Sequence, residues 1–313
     1  MAFAAKVLTD SVSELGDRLV TFEVTFPRIV LSEFNTHCML ARNSASSRAI
    51  PVLKRIRAVL EEPFVPEEFG TNMPGMQASV PLTGELDAEA REVWLAGRDR
   101  AVVTALELTF GKGFVAGQPT FAQLTEIVGK LGADDVKAAK LGVHKQIVNR
   151  VLEPYMWHTV VTTATDWSNF FALRTHEAAQ PEIRRAANLM LDALRASTPK
   201  PVPAGGWHLP FVDPEEQANS GKDELYWAGI SAARCARVSY LTHDGRRSLE
   251  ADEQLHDRLR NAGHLSPFEH PGRAMTAAEK AANPRSGKFY GWHQFRKDLP
   301  HESNYGEVIN FHI

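Results

Sequence analysis

The sequence predicts an α+β fold, an antiparallel or mixed sheet core with flanking helices, on three observations. Arg18–Leu31 (RLVTFEVTFPRIVL) alternates in polarity with Val20, Phe22, Val24 and Phe26 on one face, the period of one or two half-buried strands. Asp87–Phe110, Asp134–Leu152 and Ile183–Leu194 instead repeat apolar residues at helical spacing. At 313 residues the chain is long enough to bury a substantial core, and residues 1–313 read as a single domain.

In chain order, Pro27 lacks an N–H and belongs at the edge or end of its ladder. The segment Ser32–Val52 (SEFNTHCMLARNSASSRAIPV) follows, with few apolar residues between Cys38 and Ile50, so core packing does not account for it. Ser44, Ser46, Ser47 and Arg48 read as an anion cradle: small hydroxyl side chains let a ligand approach the backbone, and the Arg48 guanidinium is a planar fork suited to phosphate. A polar helix cap with one surface arginine is the alternative. Pro51 denies Ile50 a helical backbone, and Val52–Leu60 reads as a short helix whose Lys54, Arg55 and Arg57 are either charge near the cradle or a solvated face. Residues 62–85, rich in Pro, Gly and Met, read as an irregular insertion: a lid, an interface arm or a family-specific addition.

Thr120–Leu131 reads as a short helix. Asp134–Leu152 reads as one continuous helix with acidic residues in its first turn. Val136, Ala139, Leu141, Val143, Ile147, Val148 and Val151 form its buried stripe, and His144, Lys145, Asn149 and Arg150 its polar face. Pro181 starts the next helix where its missing N–H costs least. Residues 199–214 form a Pro/Gly connector. The tail Gly287–Ile313 is aromatic and basic in its first half. It suits a packed element, or stacking on a planar ring with Arg296 or Lys297 reaching an anion.

Composition narrows the function classes. A net charge of −3 gives no general attraction to nucleic acid or anionic membrane, so any phosphate binding is local. No run approaches the roughly 18 apolar residues that span a bilayer, and the first ten residues lack the pattern of a signal peptide. Two distant cysteines, Cys38 and Cys235, argue against a disulfide framework and fit a cytoplasmic location. The histidines show no metal-binding spacing, so no metal is expected. Cys38 beside His37 invites a thiolate nucleophile, but neighbours in sequence seldom point at one another, and that reading is set aside.

Three blocks together resemble the flavin-dependent thymidylate synthases. The family signature is Arg-His-Arg, seven residues, Ser, and an Arg two positions on; it falls on Thr36, His37, Cys38, Ser46 and Arg48, with Asn43 at the family's Asn. Thr36 and Cys38 stand where the family has Arg, and Ser44 where it has Glu. The second block, Thr165–Ile183 (TDWSNFFALRTHEAAQPEI), is similar to Asn-Phe-Leu-x-Leu-Arg followed by Ala-Gln-x-Glu-Ile, matching at Asn169, Leu173, Arg174, Ala179, Gln180, Glu182 and Ile183. Asn169 and Arg174 lie about 140° apart on a helix and face different groups. In the family a helix like Asp134–Leu152 ends in an Arg followed four residues later by Pro, a spacing that Arg150 and Pro154 match. In the third block Ile230–Tyr240 (ISAARCARVSY) resembles the family's opening strand, Ala-Arg-Val-x-Tyr, so a strand is expected there; with Gly263–His270 (GHLSPFEH) it precedes the signature in ordinary members and follows it here, so the order of elements is expected to be circularly permuted.

The resemblance implies an enzyme that binds FAD, dUMP and 5,10-methylenetetrahydrofolate with NADPH as reductant, moving one carbon to C5 of the uracil. It places Ser44, Ser46, Ser47 and Arg48 on the dUMP phosphate and Arg150 and Arg174 on nucleotide and base. It places His37, Cys38, Asn43, Asn169 and His270 at the flavin. Arg174 would be catalytic, stabilising charge on the uracil without changing protonation. A homotetramer with shared sites is implied. The product is open between dTMP and 5-hydroxymethyl-dUMP, and a non-catalytic nucleotide or flavin binder is the third reading.

Overall fold

The alternating residues Val20, Phe22, Val24 and Phe26 do lie on one strand and on one buried face. The computed structural model describes residues 2–75, 80–239 and 248–300. Its central sheet contains β1 (Ala4–Ser13), β2 (Arg18–Pro27), β3 (Ala41–Ser44), β4 (Trp157–Ala164) and β5 (Lys200–Val202). Their order is β3-β4-β2-β1-β5, antiparallel throughout except for the parallel pair β1–β5. The sheet is therefore mixed, within an α+β fold. Pro27 closes β2, where a missing N–H interrupts no interior ladder.

Both sheet faces are covered. Val20, Phe22, Val24 and Phe26 pack with Trp167, Phe170 and Phe171 of the α7 (Ser168–Arg174) region and with Ile183, Ala187 and Met190 of α8 (Pro181–Ala196). On the other face Val161 meets Cys235 and Val238 at the end of α10 (Glu224–Ala236). Strand pleating sends successive side chains to opposite faces, so β4 is lined on both. Ahead of β3 sits a short α1 (Leu31–Asn35). A second apolar cluster joins α2 (Val52–Glu61), α3 (Glu85–Phe110) and α4 (Phe121–Lys130), the last opened by a Thr120/Gln123 capping box.

The helix expected over Asp134–Leu152 is broken into α5 (Ala133–Lys137), α6 (Lys145–Val148) and a 3-10 turn over Asn149–Tyr155. Gly142 takes a left-handed φ of 57°, and the Gly142 and Val143 N–H groups bond to Thr109 O and Leu108 O of α3 instead of to helical partners. Leu141 and Ile147, assigned to the buried stripe, are about half exposed at 54% and 50%. The strand expected at Ile230–Tyr240 is helix α10, capped by Asp223, whose side chain accepts from Tyr226 N at 2.8 Å. Its alanines favour helix, and burial from Trp227 to Cys235 leaves no polar face to betray the period. Tyr240 and residues 301–313 of the tail lie outside the described residues.

Within the described part of 62–85, Trp94 donates to Phe64 O and Arg91 to Pro66 O, tying the irregular segment to α3. The 199–214 connector places β5 in the central sheet and β6 (Trp207–His208) in a second, three-stranded one. The buried guanidinium of Arg234 lies between Glu216 (2.7 Å) and Asp252 (2.9 Å), the first preceding α10 in α9 (Pro214–Ser220) and the second on the helix Leu249–Asn261. Phe289, Trp292 and Phe295 of the tail are buried, so these aromatics pack. Among the described residues no helix is long and apolar enough to cross a membrane.

Candidate functional site

Arg174 is the last residue of α7, and its guanidinium reaches back to the segment before β3. Nε donates to His37 Nε2 at 2.9 Å, and Nη2 to Thr36 Oγ1 at 3.1 Å and Glu33 O at 3.3 Å. Two motifs far apart in sequence thus meet in one contact. The His37 ring stands edge-on to Phe170, with centroids 5.0 Å apart. Burial, then Arg174 and Arg42, hold the His37 pKa below its ordinary value, so the ring is neutral at pH 7. Because Nε2 accepts, the proton sits on Nδ1. Arg42 locks the turn by donating to the carbonyls of Asn35 and His37, each at 3.0 Å.

Beyond β3 the chain enters the serine-rich cradle, which is pinned from behind. Asn149, fully buried, donates from Nδ2 to Ser47 O (2.8 Å) and Ile50 O (2.9 Å). Lys145 Nζ reaches Ala49 O at 3.2 Å, and Ser47 Oγ donates to Glu153 Oε1 at 2.7 Å. Ser47 is buried with its hydroxyl committed to Glu153, whereas Ser44, Ser46, Arg48 and Arg150 are exposed. Arg150 stands 3.6 Å from Glu153. Replacing Asn149 by alanine strands two buried carbonyls and is expected to cost about 2 kcal/mol. Urea unfolding measures it; an Asn149→Ala midpoint equal to the parent's would show that the cradle holds itself.

The Gly263–His270 element ends in a 3-10 turn, Ser266–Glu269, packed on β3. Glu269 binds Lys288 at 2.7 Å and Arg296, and Lys288 also reaches Leu40 O at 3.4 Å, three residues past His37. His270 is fully buried and shares a 2.8 Å hydrogen bond with Thr163 through Nδ1. The bonds continue from Thr163 to Thr21 (2.7 Å), to His208 Nε2 (2.8 Å), and from His208 Nδ1 to Ser11 (2.8 Å). Burial holds both histidines neutral, each with its pKa lowered to about 3. His270 Nε2 is buried without a hydrogen-bond partner. Its enclosure sets it beneath the sheet surface, so any influence on a ligand passes through neighbouring groups.

Cys38 and Asn169 are exposed and Asn43 is half-buried on β3. The segment leading into β3 thus carries a neutral imidazole and a thiol, and β3 itself the Asn43 amide. That donor and acceptor set fits the edge of a planar heteroaromatic ring such as a flavin. Asn169 lies five residues before Arg174 on α7, about 140° from it around an ideal helix.

No motif pointed to Arg28, Glu153 and His158; Arg55, read as charge near the cradle or as part of a solvated face, is half-buried with Arg28 and Glu153 among its electrostatic neighbours. Arg28 follows β2 and stands 3.1 Å from both Glu153 Oε1 and His158 Nδ1. Its one sequence signal is a charge set inside an apolar run. Arg28, Ser32, Asn35, Arg150 and Glu153 line an open cleft of about 500 Å³.

A family model described as thymidylate synthase complementing protein, Thy1, matches residues 11–200, well over half of the chain. No curated protein matches the chain significantly. Among solved structures, the UMP/dUMP methylase PolB from Streptomyces cacaoi bound with 5-Br UMP is similar at 16% identity and TM-score 0.41, over 62% of this chain and 88% of that one. The same enzyme bound with 5-Br dUMP gives 15% identity and TM-score 0.42, over 62% and 90%.

Proposed function

The chain belongs to the thymidylate synthase complementing protein family, the flavin-dependent thymidylate synthases, and from that premise we propose that it transfers one carbon from 5,10-methylenetetrahydrofolate to C5 of dUMP, yielding dTMP. The observation that supports this reading is the contact of Arg174 with His37 and Thr36, which brings the signature segment and the Asn169/Arg174 motif together at one place.

In this reading a bound FAD, reduced by NADPH, supplies the hydride. His37, Cys38, Asn43 and Asn169 hold the flavin at the open end of β3, and His270 supports that edge from below. Ser44, Ser46, Arg48 and Arg150 hold the dUMP phosphate, while Ser47 fixes the cradle through Glu153. Arg174 aims a permanent positive charge at the uracil, where negative charge grows at the transition state. His37, neutral and with its proton on Nδ1, presents a donor to the site while Nε2 stays engaged with Arg174.

The exposure of Cys38, Asn169, Ser46, Arg48 and Arg150 suits a homotetramer in which a second copy covers each half-site. The packing of Gly263–His270 on β3 suits a circular permutation of one catalytic domain, with the family's leading element moved behind its signature. We assign the enzyme to the cytoplasm.

A second product is favoured by one feature: Thr36 and Cys38 replace two arginines of the signature, which leaves the site less cationic and more open to water. Water in place of hydride at the last step gives 5-hydroxymethyl-dUMP. Mass spectrometry after incubation with dUMP, methylenetetrahydrofolate, FAD and NADPH decides. A gain of CH₂ is expected, and a gain of CH₂O assigns the hydroxymethyl product. A colourless protein that leaves dUMP unchanged would sink both and leave a nucleotide binder.

A further inference from the structure

We propose that α3 joins two copies of this chain, its first half packing antiparallel on the same half of a second copy about a two-fold axis near residue 95. No residue of this face belongs to the motifs or to the candidate site. The inference therefore stands apart from the reaction proposed above, and gives the oligomer invoked there one contact face.

Burial shows that this helix is half covered. α3 spans 26 residues, yet its buried residues, Arg98, Val102, Ala105, Leu106 and Thr109, all lie from Arg98 onward. The turns before Arg98 are tied to the 62–85 segment through Arg91 and Trp94, and they carry Leu86 and Val93 outward at 61% and 58% exposure. Helical turns in a folded protein take most of their stability from packing an apolar face, and here that face is bare. Leu86, Ala90, Val93 and Gly97 recur at alternating steps of four and three, so they form one stripe. With Phe69, Leu82 and Tyr155 the stripe lines an open groove of about 550 Å³.

Charge selects what covers it. Of the three arginines of α3, Arg91 is paired with Asp87 at 2.7 Å and Arg98 with Asp99 at 2.8 Å, whereas Arg100 has no carboxylate among the described residues. Glu89, also on the groove wall, likewise has no cation there. An apolar stripe with a free acid toward its start and a free base at its end is complementary to itself reversed, and a two-fold axis pairs residues in that reciprocal way. Gly97, where an added Cβ would stand 2.5 Å from Tyr155 Oη, leaves a hollow suited to a Val93 side chain. Seating Val93 on the partner's Gly97 puts the axis midway between the two, at residue 95. The same axis sets Glu89 beside the partner's Arg100, twice by symmetry, with the helix dipoles opposed. A partner of another kind has no reason to match this symmetry.

The test is the mass of the full chain by sedimentation equilibrium at micromolar concentration. An even number of copies is expected; a parent that sediments as one chain overturns the proposal and leaves the groove to a different protein. Val93→Asp changes a side chain exposed in the single chain and sets a charge in the middle of the apolar stripe. It is expected to weaken association about a hundredfold and so halve the mass, with the circular dichroism of the parent. Arg100→Glu is expected to weaken association about tenfold by opposing like charges. Combining Glu89→Arg with Arg100→Glu restores both pairs in reverse and is expected to recover the parent's affinity, a rescue that misfolding cannot imitate. Copies that meet elsewhere would leave Val93→Asp with the parent's mass, which overturns the inference. A double variant no tighter than Arg100→Glu overturns the antiparallel pairing. Turnover enters none of these measurements, so their failure is separable from failure of the proposed reaction.

Discussion

Arg174→Ala is expected to lower kcat for dUMP by about a thousandfold, the scale of losing one preorganised charge at a developing anion. The guanidinium is well placed for that role. It is half-buried and held by three contacts to His37, Thr36 and Glu33, so little reorganisation is needed as charge develops. The same contacts predict a secondary effect: with Arg174 gone, His37 loses the donor that fixes its tautomer, and flavin affinity falls modestly. Arg174→Lys separates the two roles, since it keeps the charge but cannot reproduce the forked contacts. Its kcat is expected between those of the parent and the alanine variant. Full activity in Arg174→Ala, measured with the flavin site saturated, would remove the catalytic assignment.

What the sequence reveals of this fold follows from how each element is buried. β2 is legible because Val20, Phe22, Val24 and Phe26 alternate with more polar neighbours, and α2, α4 and α8 because each has one buried face. The central strand β4 is not. Its run WHTVVTTA over Trp157–Ala164 shows no alternation because Val160, Val161, Thr162 and Thr163 are all buried. α10 misleads for the same reason in the opposite sense, being a helix sealed nearly all round. In 134–152 the period continues across a break that only Gly142 and its bonds to α3 impose.

The candidate site divides along similar lines. Its motif residues could be named from their resemblance to the family's motifs, but the groups behind them could not. Asn149 carries no sign in the sequence that it ties two carbonyls of the cradle, and Arg28 and Glu153 become neighbours only once β2 and the 149–155 turn are packed. His208, in a Pro/Gly-rich connector, joins His270 only through threonines on two adjacent strands. Long-range hydrogen bonds of this kind leave no periodic trace.

Those buried histidines carry the second large effect, a steep loss of stability in mild acid. His158, His208 and His270 are each held neutral by burial, with pKa values of about 3 against 6.5 in the unfolded chain. The unfolded state therefore binds more protons between these values, so stability is fully present above pH 6.5 and is lost as pH falls below it. Each group contributes a slope approaching about 1.4 kcal/mol per pH unit, so three together approach about 4 kcal/mol per unit. Against a typical total of about 5–15 kcal/mol, this is enough to unfold the domain near pH 5. Most carboxylates are still ionised there, which leaves the histidines as the groups that titrate. Urea midpoints at pH 7.5, 6 and 5 measure the slope, and His158→Gln, His208→Gln and His270→Gln are each expected to flatten it by about one proton while lowering stability at pH 7.5. A midpoint unchanged from pH 7.5 to 5 would mean that these rings reach water or an acidic partner, and the sealed polar chain beneath the sheet would have to be redrawn.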